Sequence, residues 1–232
     1  MSAGPAVRQL SEVTANPVTR GVTAAEMLGD DQGCQGLHQR RLSLAGGTRL
    51  AGAGGGQGEA WYVITGTGFL DTERTGRVAL APGTALWLEP GAGYTCQADG
   101  ELEMLAVTVR AGDECAGPAR PVVRLADCEP ERTGDREFRV LLSEGLTITQ
   151  FAGLIPPGRA PAHHHTYDEV VHVLDGEGVV HLGADLEAGI GPGTSIYLPP
   201  YQSHCLENTG PEPLRVLGVF YPAGSPAAKR ES

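Results

Sequence analysis

Residues 163–178 read HHHTYDEVVHVLDGEG, and this stretch decides the fold. In an extended strand side chains alternate between faces, so His163 and His165 point one way and His164 the other. A three-residue turn, Thr166-Tyr167-Asp168, then lets Glu169 open a return strand opposite the two imidazoles. The run 170–174 is rich in valine, with His172 the one polar residue in it, and Asp175-Gly176-Glu177-Gly178 closes it with a tight-turn signal. A fourth donor, His204, arrives after the Pro199-Pro200 bend. Three imidazoles and one carboxylate form a set of borderline hardness. Such a set suits Fe(II), Mn(II), Ni(II), Co(II) or Zn(II) better than Ca(II) or Cu(I).

Working outward, the chain repeats itself at an offset of 110 residues. Glu59 maps onto Glu169, Gly66 onto Gly176, Gly68 onto Gly178, Pro82-Gly83-Thr84 onto Pro192-Gly193-Thr194, and Gly100 onto Gly210. Apolar positions keep the same offset: Val63 with Val173, Leu86 with Ile196, Leu88 with Leu198. No gap is needed between Glu59 and Gly100, so the chain reads as an internal duplication. At the positions equivalent to His163, His165 and His204 the first copy has Ala53, Gly55 and Tyr94. Glu59 alone cannot hold a transition ion, so the first copy is expected to be structural.

Each copy reads as all-β. In the second, strands are expected at 146–154, 169–174, 178–182, 194–198 and 214–220, bounded by Gly, Pro, Asp or Asn. The 34 glycines and 17 prolines are spread along 232 residues, as expected for many turns between short strands. A short helical turn around Thr23 to Leu28 is the best candidate for any helix. The stretch 112–134 carries Pro118, Pro121 and Pro130 and is expected to connect the copies, with a strand at 121–125.

The formal charge is −11, and no lysine and arginine cluster exceeds a pair such as Arg40-Arg41, which argues against nucleic acid or an anionic membrane as partner. No apolar run approaches a membrane span and no leader pattern opens the chain, so a cytoplasmic location is expected. The five cysteines, Cys34, Cys96, Cys115, Cys128 and Cys205, lack CxxC spacing, which argues against a disulfide framework or a zinc–thiolate site. His172 and His181 lie outside the donor pattern and read as structural histidines.

The donor pattern resembles the two signature motifs of the cupin superfamily. His163, His165, Glu169 and Gly176 match the first, HxH-x3-E-x6-G, and Gly193, Pro199, His204 and Asn208 match the second. One departure is Tyr201, which stands where that family usually has glycine. The resemblance implies two tandem jelly-roll-type β-barrels. Residues 1–34 are then an N-terminal arm, 35–111 a cupin barrel lacking metal ligands, 112–134 the connector, and 135–232 a cupin barrel that binds one divalent transition metal through His163, His165, Glu169 and His204. Fe(II) is the favoured ion, with Mn(II), Ni(II) or Zn(II) as alternatives. Glu169 doubles as the expected catalytic residue, loosening to act as a base.

The activity implied is that of an Fe(II) dioxygenase-like oxidoreductase on a small polar or aromatic substrate. The alternatives are a redox-neutral isomerase, lyase or hydrolase, such as a ureidoglycine aminohydrolase-like enzyme, and a non-enzymatic small-molecule-binding cupin. A homodimer is the expected assembly.

Overall fold

The computed structural model describes residues 4–110 and 117–227; Cys115 and part of the expected connector lie outside them. The strands of the first half are β1 (Ala6–Arg8), β2 (Ala15–Thr19), β3 (Val22–Leu28), β4 (Leu37–Leu44), β5 (Arg49–Ala53), β6 (Glu59–Thr65), β7 (Gly68–Thr72), β8 (Gly76–Leu80), β9 (Thr84–Leu88), β10 (Gly93–Ala98) and β11 (Leu102–Val109). Those that follow are β12 (Val122–Arg124), β13 (Glu131–Thr133), β14 (Arg136–Leu142), β15 (Thr149–Ile155), β16 (Gly158–Arg159), β17 (Asp168–Asp175), β18 (Gly178–Leu182), β19 (Leu186–Ile190), β20 (Ser195–Leu198), β21 (His204–Asn208) and β22 (Leu214–Tyr221). Only 3-10 turns interrupt them, and no helix among the described residues is long and apolar enough to cross a membrane. The fold is all-β.

In each half a seven-stranded sheet faces a four-stranded one. The first half pairs β12-β9-β6-β11-β4-β3-β2 with β5-β10-β7-β8, and the second pairs β1-β20-β17-β22-β15-β14-β13 with β16-β21-β18-β19. Alternation along the strands fills each interior. In the second half Val171 and Val173 of β17 meet Val180, Leu182 and Leu206 from the opposite sheet. In the first, Trp61, Val63, Leu70 and Leu88 do the same.

The two seven-stranded sheets also pack back to back. Met27, Tyr62, Trp87, Leu105 and Val107 share one buried cluster with Val170, Tyr197, Leu217 and Val219. A sheet with one solvated face would alternate apolar and polar. Here both faces of β6 and β17 are covered, so the interiors of both strands read as near-continuous apolar runs, broken in β17 by His172.

The segments expected as an arm and a connector are traded between the halves. β1 pairs with β20, setting Val7 opposite Ile196, while β12 pairs with β9, setting Val122 opposite Leu86. Leu86 and Ile196 are repeat equivalents, so each barrel has the same sheet edge covered by a strand drawn from the stretch that leads into the other. Covering the edge satisfies backbone groups that would otherwise template foreign pairing.

Residues 15–28, within the expected arm, form β2 and β3 of the first half's sheet. The helical turn expected at Thr23 to Leu28 is instead strand β3, against β4. Its Ala and Met residues favour helix intrinsically, but burying Val22, Ala24, Ala25, Met27 and Leu28 between sheets outweighs that preference.

Candidate metal centre

The four expected donors meet inside the second barrel. Glu169, the second residue of β17, lies on the inward face, in register with Leu198 of β20 and Phe220 of β22. His204 opens β21. His163 stands beside it in an isolated antiparallel bridge, their N–H groups donating to each other's carbonyls at 3.0 and 2.8 Å. The ring centroids lie 4.9 Å (His163–His165), 4.6 Å (His163–His204) and 5.3 Å (His165–His204) apart. His164 points away, toward Tyr201. The nitrogens of the three histidines lie within 4.8 Å of one another, forming a group that could hold a metal ion.

Local hydrogen bonds aim the rings. His204 Nδ1 donates to the Gln202 carbonyl at 2.8 Å, and His163 Nδ1 lies 3.3 Å from the Pro161 carbonyl. A backbone acceptor at Nδ1 leaves Nε2 with its lone pair toward the cavity, as a ligand requires. Tyr167 stacks on His165 at 4.9 Å with an interplanar angle of 12°, and its hydroxyl donates to the Ser225 carbonyl at 3.0 Å. Thus Tyr167 ties a donor ring to the tail at 224–226, where Pro226 lines the same cavity.

Electrostatics mark the place. Glu169 is buried, and its Oε2 has no hydrogen-bond partner although it lies 3.5 Å from His165 Nε2 and 3.8 Å from His204 Nε2. Burial pushes its carboxyl up to about 8, against the pull of the Arg136 guanidinium. Burial likewise holds His204 down at about 3, against its bond to Gln202, so that imidazole is neutral. A buried carboxylate oxygen facing two imidazole Nε2 atoms, the His204 one neutral, is a place where a cation would repay the desolvation. These residues fit a divalent ion.

The repeat gives an internal control. Glu59 sits at the equivalent place in the first barrel, yet its carboxylate is fully engaged. Oε1 accepts from Arg40 Nη2 at 3.2 Å, Gly55 N at 3.1 Å and Thr108 Oγ1 at 3.1 Å, and Oε2 accepts from Trp61 Nε1 at 2.7 Å. A Cβ on Gly55, the equivalent of His165, would lie 2.8 Å from Glu59 Oε1. Tyr94, standing for His204, packs edge-on against Trp61 at 5.0 Å. Side chains occupy the space that the donors frame in the second barrel.

Outside the donor set, His181 contacts Glu207 at 2.8 Å and Glu187 at 3.3 Å, and His172 contacts Ser195 at 2.9 Å, so both are structural. The described cysteines are free, and burial raises Cys34 and Cys96 to about 12. What sequence reading missed is β14, which brings Arg136 and Phe138 into the cavity. The period-2 pattern Arg136, Phe138, Val140 was there to find, but an arginine at an inward position reads as a solvated residue.

With this geometry in hand, the likenesses to known proteins take on meaning. Residues 152–220 match the family model for the cupin domain. A solved structure of Bacillus subtilis oxalate decarboxylase, from work assigning its Mn(II) centres, superposes with a TM-score of 0.80 at 16% identity, over 97% of this chain and 78% of that one. A deletion mutant of the same enzyme gives 0.78 at 16%, over 94% and 78%. The chain therefore shares the two-barrel fold of those structures, and residues 152–220 of its second barrel match the cupin domain. Over 59 residues it is also 36% identical to the uncharacterized protein MJ1618 of Methanocaldococcus jannaschii, covering 25% of this chain and 46% of that protein, less than half the relative's length.

Proposed function

We propose that this protein is a metal-dependent cupin enzyme whose second barrel holds one divalent transition ion on His163, His165, Glu169 and His204. The observation that carries the reading is the buried Glu169 Oε2, without a hydrogen-bond partner and facing two Nε2 atoms. A bound ion of octahedral preference supplies Lewis acidity and two exchangeable positions for substrate oxygen or O2. The chain supplies the rest. Backbone carbonyls orient the imidazoles, apolar walls exclude water, and Glu169 gives up its proton when it becomes a ligand and can take one from a substrate hydroxyl if it loosens.

The reaction we favour is dioxygenase-like, with Fe(II) and a small polar or aromatic substrate; the open positions and the aromatic cavity wall support it. The second reading is redox-neutral lyase chemistry with Mn(II). It is supported by the likeness along nearly the whole chain to an oxalate decarboxylase with Mn(II) centres. Elemental analysis followed by turnover assays on the iron-loaded protein, with and without O2, tests both. Product formation that stops under anaerobic conditions supports the first. Turnover indifferent to O2 and retained with manganese overturns it in favour of the second. Purified protein that takes up no divalent ion overturns both.

A further inference from the structure

The cavity that gathers the four donors also holds a cation. Arg136 lies two positions before Phe138 on β14, so both side chains share the inward face. Its Nη2 donates to the Leu206 carbonyl at 3.0 Å, while its Nε is buried with no hydrogen-bond partner. Among the described residues no carboxylate comes within 4.0 Å of the guanidinium. Glu169 feels its charge, but that carboxylate is committed to the metal centre. Asp135 also acts on this cation, from beyond ion-pair distance. A largely buried guanidinium with no carboxylate in direct contact is expensive, and an anion entering the cavity would complete it.

Away from the donors the wall is mostly apolar; Thr133 and Glu137 also line it, and the Glu137 carboxylate is paired with Arg139 at 3.1 Å. Phe151 and Phe220 lie 4.8 Å apart in one cluster with Phe138. A Cβ on Gly218 would come within 2.3 Å of the Phe151 ring, so glycine there is what lets that ring lie across β22. The cavity together with its open mouth encloses about 660 Å³.

We propose that the cavity takes a small monocarboxylate with an aromatic or branched aliphatic body, its carboxylate held by Arg136 and its body by Phe138, Phe151 and Phe220. This rests on the metal reading above and narrows it to a substrate class. A compact dianion such as oxalate would leave the aromatic wall unfilled and binds more weakly.

Calorimetric titration with benzoate, benzamide and oxalate tests the assignment, on zinc-loaded and on EDTA-treated protein. The native chain binds benzoate at least about 10-fold more tightly than benzamide, because only benzoate neutralises the guanidinium. Arg136→Gln brings that ratio close to unity, and Arg136→Lys restores part of it. Phe138→Ala weakens both aryl ligands and leaves their ratio unchanged. Benzoate affinity within about twofold of native in a folded Arg136→Gln protein overturns the proposal. So does oxalate binding more tightly than benzoate. Should Arg136→Gln fail to fold, Phe138→Ala decides, since undiminished benzoate binding there overturns it. A native chain that prefers benzoate yet takes up no metal removes the metal reading alone, whereas metal uptake without that preference removes this one alone.

Discussion

His163 and His204 exchange both backbone hydrogen bonds across an isolated antiparallel bridge, although 41 residues separate them. A pair bonded in this way carries its two side chains on the same face, which is why the rings approach to 4.6 Å. These two proposed donors are thus placed by paired backbone hydrogen bonds. Replacing either histidine by alanine is expected to lower metal affinity by at least about 100-fold while leaving the metal-free melting temperature within a few degrees. Chelator competition and calorimetry check this, and native metal content in His204→Ala would remove that residue from the set.

Glu169 sets the pH dependence. Its folded pKa, about 8, lies above the ordinary carboxylate value, so its contribution to stability is present below about 4.5 and is lost as pH rises through 8. His204, held at about 3, works in the other direction: its contribution is present above about 6.5 and is lost as pH falls toward 3. Metal-free protein should therefore be most stable near pH 5 to 6 as far as these two groups are concerned. Metal affinity should climb up to about pH 8, with one proton released per ion near neutrality. Glu169→Gln should abolish that release; titration in buffers of different ionisation enthalpy measures it.

The two equivalent glutamates should fail in opposite ways. Glu59→Ala strips acceptors from Arg40, Trp61, Thr108 and the Gly55 amide at once, and is expected to cost about 2–4 kcal/mol of stability with metal content unchanged. Glu169→Gln is expected to weaken metal binding with little loss of metal-free stability. Denaturant unfolding beside elemental analysis separates them. Loss of bound metal in the Glu59 variant would overturn the asymmetry of the two barrels.

Tyr201 has φ of 65°, the left-handed region, and its amide donates to the His165 carbonyl at 2.7 Å. Its ring is 69% exposed, so little burial offsets the backbone strain. This accounts for the glycine usual at that position in the cupin motif. Tyr201→Gly should leave stability unchanged or raise it by up to about 1 kcal/mol, and Tyr201→Val should lower it by about 1–2 kcal/mol, since a branched Cβ fits that conformation poorly. Thermal melts distinguish the two, and a valine variant as stable as native would refute the strain.

Much was legible in the chain alone because it is written locally. The valine-rich run after Glu169, the turn at Gly176 and the offset joining Glu59 to Glu169 fixed an all-β duplication. The spacing from His163 to Glu169 also put both imidazoles and the carboxylate within reach of one another. Strand alternation and turn chemistry act over a few residues, so they survive in a linear reading. The strand at Val22–Leu28 did not survive it, because its helix-forming side chains are overruled by burial between sheets.

Tertiary structure alone decided the partners of distant segments. That Val7 crosses to Ile196 while Val122 stays with Leu86 depends on how two sheets pack back to back, and no local pattern records it. That Glu59 is saturated by Arg40 and Trp61 while Glu169 Oε2 is left facing Nε2 atoms depends on what the fold brings around each carboxylate. Arg136 became a cavity residue for the same reason: a side chain's type states its charge, but only its surroundings determine whether that charge is hydrated or awaits a ligand.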